Sequence, residues 1–150
     1  MFQGAAMVSL DAKGRLGVPA RHRDALAATC GGCLVLTAHP HKCLAIYPEP
    51  AWTPIRDQLT ALPSLGDPRI AQVKRLLVGF AREEEMDTAG RVLIAPELRD
   101  WAGLEKQVWL VGQGKGFELW SDERWRAQQD ELLVQLSTAG MPPGLENLSL

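Results

Sequence analysis

The sequence predicts an α+β fold in which two tandem β-β-α-β-β-α units interdigitate into one closed β-barrel with peripheral helices. Three observations favour this class. The chain repeats itself at an offset of 76 residues, and both halves show the same order of predicted strands and helices. A unit of about 40–50 residues is also too small to bury both faces of its own sheet. Closing the two units into a barrel would remove their exposed strand edges.

The repeat centres on a short turn that occurs twice. The stretch "LDAKGRLGVPARHRD" begins at residue 10, and "MDTAGRVLIAPELRD" begins at residue 86. We call residues 11–15 the first Asp-Arg turn and residues 87–91 the second Asp-Arg turn. The matched pairs are Asp11 and Asp87, Gly14 and Gly90, Arg15 and Arg91, Val18 and Ile94, Arg23 and Arg99, and Asp24 and Asp100.

The elements of the first copy follow from local signals. Short apolar and β-branched runs flank the first Asp-Arg turn, whose Asp and Gly are typical turn residues, and they predict a β-hairpin or a bent β-loop-β. Pro19 starts a helix over "ARHRDALAA", which a Gly pair ends. The runs "CLVLTA" and "CLAIYP" predict two strands joined by "HPHK". Pro48 then introduces the helix "PAWTPIRDQLTAL".

The second copy repeats this order, with "QVWLVG", the turn "QGKG", the strand "FELW" and the helix "DERWRAQQDELLVQL". The segment between the copies predicts a helix with a core-facing stripe of Ile70, Val73, Leu76, Leu77 and Phe80. We therefore expect a first unit over residues 5–52, a linking helical segment over 53–80, a second unit over 81–125, and a C-terminal helix with a disordered tail over 126–150.

Composition indicates a globular protein outside the membrane. The chain of 150 residues is 46% hydrophobic and 23% charged, and no apolar run approaches the length of about 20 residues that spans a bilayer. The first ten residues lack a signal-peptide pattern, and three cysteines without framework spacing fit a reducing compartment, so we expect a cytoplasmic protein. The net charge of −2 is polarised: residues 1–48 carry +3, residues 49–82 carry +2 and residues 83–150 carry −7. A basic front half can attract polyanions.

The two turns, with "MFQGA", "HPHKCLAIYP" and "FELWSDERW", resemble MraZ, a family of bacterial transcriptional regulators built from two SpoVT/AbrB-type units. The resemblance runs from residue 1 to about residue 130. It implies a swapped-hairpin, double-psi-like β-barrel, a homo-oligomeric ring, and binding to short repeated boxes in double-stranded promoter DNA. In that family the promoter belongs to the protein's own operon of division and cell-wall genes. A nucleoid-associated protein without a cofactor or a metal is therefore expected.

The resemblance attaches DNA contact to the turn arginines, Arg15 and Arg91. An Arg guanidinium can bridge two phosphate oxygens or pair with N7 and O6 of guanine, and Lys13 beside it would serve as a phosphate point charge. Asp11 and Gly14, like Asp87 and Gly90, are expected to shape the turns. Arg91 lies in a more acidic stretch, so Arg15 is the stronger candidate. On the first helix, Arg21 and Arg23 are further candidates, although the recurrence of Arg23 as Arg99 also indicates a structural pairing.

A zinc site is one alternative to DNA binding. The sequence "CGGC" at residues 30–33, followed by His39, His41 and Cys43, has ligand spacing at its start. The second copy replaces these residues with non-ligands, which argues against the site, and buried free cysteines are common.

Two further alternatives are an aspartic-protease dyad and a protein that only assembles with itself. The dyad would use Asp11 and Asp87, which would have to face each other in a cleft and share a proton. Each is followed by an Arg that would keep it ionised, which argues against the dyad.

The protein that only assembles with itself would bind neither DNA nor substrate, and its interface anchors would be Trp101, Trp109, Trp120 and Trp125. Core packing is the simpler prediction for these tryptophans.

Overall fold

The computed structural model describes residues 1–150 and contains eight strands and five helices. In chain order they are β1 (Ala5–Ser9), β2 (Arg15–Gly17), α1 (Ala20–Cys30), β3 (Cys33–His39), β4 (Cys43–Pro48), α2 (Glu49–Ala61), α3 (Pro68–Leu77), β5 (Arg82–Glu85), β6 (Arg91–Leu93), α4 (Pro96–Ala102), β7 (Gln107–Gly112), β8 (Phe117–Ser121) and α5 (Asp122–Ala139). The order β-β-α-β-β-α thus occurs twice, with α3 between the copies. The α+β class is confirmed.

Strand pairing interleaves the two copies. One antiparallel sheet has the order β1-β7-β8-β4-β3-β5, and β2 pairs with β6 in a separate two-stranded ribbon. Only the hairpins β3–β4 and β7–β8 pair strands of the same copy, while β1–β7, β4–β8, β3–β5 and β2–β6 join one copy to the other. Each copy therefore completes its sheet with strands of the other.

The expected closed barrel is not found. In the six-stranded sheet, β1 and β5 are edge strands with one partner each. The reason lies in the Asp-Arg turns, which follow β1 and β5 directly and carry the chain into β2 and β6. There β2 and β6 pair with each other in a ribbon separate from the six-stranded sheet. The bridge between Leu10 and Leu16 and the hydrogen bond from the Asp11 N–H to the Arg15 carbonyl link the end of β1 to the ribbon.

The ribbon is anchored in the main hydrophobic core. Leu16 of β2 and Val92 of β6 lie directly opposite each other and are both buried. They pack in one cluster with sheet residues such as Leu36 and with Leu26 of α1 and Leu98 of α4. Burial of each such side chain contributes about 1.5–3 kcal/mol, so the ribbon is held rigidly against the body.

The tryptophans pack within the fold rather than forming a free patch. Trp109, Trp120 and Trp125 form a second cluster with Cys43 and Val111, and the rings of Trp109 and Trp125 are stacked at 5.8 Å. This cluster fixes the first turns of α5 to β7 and β8. A fourth tryptophan on α4 packs against the main core. The prediction that these residues fill the core is confirmed.

The predicted stripe of α3 is only half correct. Leu76 and Phe80 pack against the main core. Val73 and Ile70, about one and two turns before Leu76, instead line an open groove between α3 and the end of α2. The C-terminal end of α3 meets β3, where the Thr37 hydroxyl donates to the Leu77 carbonyl at 2.6 Å, while its N-terminal part, capped by Asp67, lies beside the end of α2. Residues 140–150 contain no helix or strand and are exposed.

Candidate nucleic-acid interface

The first Asp-Arg turn is built around the Asp11 carboxylate. Its Oδ1 accepts hydrogen bonds from the backbone N–H groups of Lys13 at 3.0 Å and Arg15 at 2.8 Å. Its Oδ2 accepts from Nε of Arg15 at 2.7 Å, which is also an ion pair. The backbone closes the turn, because Gly14 N–H donates to the Asp11 carbonyl at 3.0 Å. One carboxylate therefore both shapes the turn and orients its arginine.

The second Asp-Arg turn has the same geometry. Asp87 Oδ1 accepts from the backbone N–H groups of Ala89 at 2.9 Å and Arg91 at 2.8 Å. Asp87 Oδ2 accepts from Nε of Arg91 at 3.0 Å. The sequence repeat is thus a repeat of one hydrogen-bonded structure, and the side chain of Arg91 is more exposed, at 41% against 27% for Arg15.

The two carboxylates are ionised and separate. The pKa of Asp11 lies below its usual range, chiefly because the backbone N–H of Arg15 donates to the carboxylate, with the Arg15 side chain adding to the effect. The pKa of Asp87 is lowered in the same way by Arg91. Since β2 and β6 are antiparallel, the turns that precede them lie at opposite ends of the ribbon. The carboxylates cannot share a proton, so the dyad is excluded.

Each turn requires its glycine and is covered by an arginine of the other copy. Gly14 and Gly90 have positive φ angles of 80° and 77°, which disfavour other residues. A Cβ on Gly14 would lie 2.7 Å from Cζ of Arg99, and one on Gly90 would lie 2.6 Å from Cδ of Arg23. Arg23 is held in place because its Nε donates to the Val18 carbonyl at 2.6 Å.

This cross-bracing assigns Arg23 a structural position, and Arg99 is its counterpart. Nε of Arg99 donates to the Ile94 carbonyl at 3.0 Å, as Arg23 does to Val18. The sequence named Arg23 as a candidate for DNA contact, and the recurrence of Arg23 as Arg99 also indicated a structural pairing. The signal was present, since both belong to the repeated Arg-Asp pair that follows each turn.

The ribbon places the two turn arginines on one face. Arg15 lies opposite Leu93, and Gly17 lies opposite Arg91. Side chains alternate between the two faces of a strand, so all four of these residues lie on the face opposite to the buried pair in the ribbon. The diagonal arrangement puts Arg15 and Arg91 about 7–8 Å apart. This common face could not be deduced from the sequence, because the register of β2 with β6 depends on core packing.

The remaining cationic candidates lie at different places. Lys13 is exposed in the first Asp-Arg turn, two residues before Arg15, and the backbone N–H groups of both residues donate to the same Asp11 oxygen. Arg21 lies on α1, where its Nε donates to Nε2 of His22 at 3.1 Å and its guanidinium covers Gly4. The structure therefore places Lys13 in the same turn as Arg15, and it places Arg21 against the N-terminal segment.

Acidic residues near the second Asp-Arg turn form ion pairs with Arg82 rather than with Arg91. Arg82 forms an ion pair with Glu97 at 2.7 Å and a longer one with Glu84 at 3.5 Å. Arg91 forms an ion pair with Asp87 alone. The glutamates lower the local potential but do not occupy the guanidinium of Arg91.

A group of metal-ligand side chains occurs, and it shares only His39 and Cys43 with the zinc site that the sequence offered as an alternative. His39, Cys43 and Glu118 offer ligand atoms within 4.8 Å of one another, and residues 30–33 are not part of the group. Burial raises the pKa of the Cys43 thiol, which disfavours the thiolate that a metal needs. Nδ1 of His39 accepts from the backbone N–H of His41 at 3.0 Å, so a neutral ring carries its proton on Nε2, which faces Glu118.

Fold and site together define a duplicated α+β protein that presents a pair of aspartate-oriented arginines on one ribbon. None of its helices combines the length and the apolar character that crossing a membrane requires.

Comparison with known proteins places this architecture in a family. The family model described as "MraZ protein, putative antitoxin-like" matches residues 1–73 and 77–140. The transcriptional regulator MraZ of Aromatoleum aromaticum is 63% identical, and those of Dechloromonas aromatica and Azoarcus sp. are 59% and 57% identical, each over the full length of both chains. The chain belongs to the MraZ family, whose curated members are named as transcriptional regulators, and this is not an enzyme family.

Proposed function

We propose that this protein regulates transcription by binding double-stranded promoter DNA through the outer face of the β2–β6 ribbon. The observation that supports the proposal is the position of Arg15 and Arg91, which lie on one exposed face and are each oriented by an aspartate. The names of the relatives support the regulatory role. The interleaved pairing of β1 with β7 and of β5 with β3 is consistent with swapped-hairpin units.

The geometry suits a DNA contact for a physical reason. A two-stranded antiparallel ribbon fits the major groove of B-DNA. The aspartate of each turn accepts from Nε of its arginine, and the guanidinium retains its terminal nitrogens as donors. These two nitrogens can bind a phosphate or N7 and O6 of a guanine. Because the aspartate fixes the side chain beforehand, binding loses less conformational entropy.

The proposal includes a ring of identical subunits. Two arginines and Lys13 provide few phosphate contacts, and affinity at physiological salt needs several. A ring would present the same ribbon to successive boxes, and linked weak contacts add up to a useful avidity. We expect boxes spaced by about one helical turn, about 10 base pairs, upstream of the protein's own division and cell-wall operon. The protein would then act in the cytoplasm, associated with the nucleoid.

The test compares two aspartate-linked arginines. Arg15→Ala removes the proposed contact, and Arg126→Ala is the matched control, because Nε of Arg126 donates to Asp122 at 3.0 Å with the same i, i+4 spacing on α5. Fluorescence anisotropy with DNA from upstream of the gene should show specific binding that Arg15→Ala abolishes and Arg126→Ala keeps. Equal affinity of both variants would refute the role of the ribbon. An intact oligomer without any DNA affinity would favour a protein that only assembles with itself.

A further inference from the structure

The groove between α2 and α3 is an apolar surface without a partner in the chain. It has a volume of about 330 Å³ and is lined by Leu59, Leu62, Ile70 and Val73. Val73 is 39% exposed although it belongs to the apolar stripe of α3. A helix that leaves half of its apolar stripe open to water indicates a contact that the single chain does not supply.

The second half of α5 is another such surface. Trp125 packs against the sheet, and Leu132 and Leu136 continue the same helix face seven and eleven residues later. Leu132 borders an open cleft of about 500 Å³, and the adjacent Leu133 is 66% exposed. We call Leu132, Leu133 and Leu136 the α5 stripe. The sheet covers the beginning of this face and leaves the α5 stripe open.

The two surfaces carry opposite charges. Helix α3 contains the cations Arg69, Lys74 and Arg75 and no carboxylate. Asp67, which caps α3 and also lines the groove, forms an ion pair with Arg69 alone, so Lys74 and Arg75 give this surface its positive charge. Residues 127–139 of α5 contain Asp130 and Glu131 and no cation. Contact between the two helices would therefore pair unlike charges around an apolar centre, whereas contact between two α5 stripes would bring like charges together.

The two surfaces also lie towards opposite ends of the sheet. Helix α3 packs on β3, beside the β5 edge, and α5 packs on β7 and β8, beside the β1 edge. We propose that the α5 stripe of one subunit docks into the α2–α3 groove of the next subunit. Such a contact joins different surfaces head to tail, which closes into a ring when the rotation between subunits is suitable. This inference rests on the proposed ring and names the surfaces that form it.

The experiment measures assembly of the full-length protein by sedimentation velocity. Leu133→Glu places a charge in the α5 stripe, and Val73→Glu places one in the groove. The matched control is Leu148→Glu, an exposed leucine in the C-terminal segment. We expect the first two to weaken assembly by about tenfold or more, because the desolvation of a carboxylate at the apolar centre of the contact costs more than a nearby cation restores, and the control to assemble as the wild type does. Circular dichroism monitors folding, and if Val73→Glu is unfolded, the exposed charge reversal Arg75→Glu replaces it.

Mixing the two interface variants tests the head-to-tail arrangement. Leu133→Glu keeps an intact groove, and Val73→Glu keeps an intact α5 stripe. A mixture should form a one-to-one complex, near twice the 16.4 kDa of a single chain, that neither variant forms alone. No complex in the mixture would overturn the proposal in favour of a contact between like surfaces. Disruption by Leu148→Glu would overturn it in favour of the C-terminal segment as the occupant of the groove.

DNA binding separates this inference from the proposed function. Leu133→Glu should bind DNA with a single box as tightly as the wild type does, but it should not gain affinity on DNA with repeated boxes. Arg15→Ala should assemble normally and bind neither the single-box DNA nor the repeated-box DNA. If the wild type forms a ring that binds DNA, and the interface variants form oligomers of the same mass, the proposed interface is overturned and the proposed function is not. A wild-type protein that binds DNA as a monomer would overturn both the ring and the interface.

Discussion

The cross-bracing of the Asp-Arg turns makes a quantitative prediction for Gly90→Ala. The left-handed backbone at Gly90, with φ of 77°, costs about 1–2 kcal/mol for a residue with a Cβ. The new Cβ would also lie 2.6 Å from Cδ of Arg23 and would displace that side chain. Arg23 would then lose its hydrogen bond to the Val18 carbonyl, and a bond from a charged donor contributes about 1.5–3 kcal/mol. The free energy of unfolding should fall by about 3–5 kcal/mol.

Gly31→Ala is the matched control for this prediction. Gly31 has a φ of 64°, and a Cβ there would have no atom within 4 Å. It should therefore show only the backbone penalty of about 1–2 kcal/mol. Urea denaturation at a fixed protein concentration measures both, and in thermal unfolding Gly90→Ala should lower Tm by about 6–20 °C. Equal destabilisation by the two substitutions would show that Arg23 does not brace the second Asp-Arg turn.

Three further predictions concern the ribbon and its turns. The pKa values of Asp11 and Asp87 are lowered in the folded protein, so the two carboxylates stabilise the fold at neutral pH and lose this effect as the pH falls below about 4. The free energy of unfolding should therefore fall less steeply with acidification in a variant with both Asp11→Asn and Asp87→Asn. Leu16→Ala should lower the free energy of unfolding, measured in urea, by about 2–5 kcal/mol, because Leu16 is buried in the core. Leu93→Ala on the outer face should change it by less than about 0.5 kcal/mol. Arg15→Lys should keep salt-dependent binding to any DNA and lose sequence preference in competition titrations.

Local signals in the sequence were sufficient to predict the helices, the strands and the two Asp-Arg turns. The order of strands and helices followed from apolar runs and from breakers such as Pro19 and Gly31, which act within a few residues. The Asp-Arg turns were equally predictable, because Asp11 bonds to the backbone two and four residues ahead. These features depend on neighbours in the chain.

Long-range features could not be predicted in the same way. The common face of Arg15 and Arg91 depends on the pairing of Leu16 with Val92, and those two residues are 76 positions apart. The expected closed barrel is not found, and no local signal shows that β2 and β6 pair with each other in a separate ribbon. The stripe of α3 was half wrong for a related reason, since periodicity identifies an apolar face but not which neighbouring element packs against it.

The bracing of each turn by the other copy also indicates how the duplicated gene arose. Val18 N–H donates to the Gly90 carbonyl, and Ile94 N–H donates to the Gly14 carbonyl, so each copy holds the turn of the other. A half-length chain has no such partner within itself and would have to obtain it from a second molecule. The ancestor that such symmetry implies is a pair of identical short chains, later fused end to end. Substitution at either glycine is thereafter constrained by an arginine encoded in the opposite half of the gene.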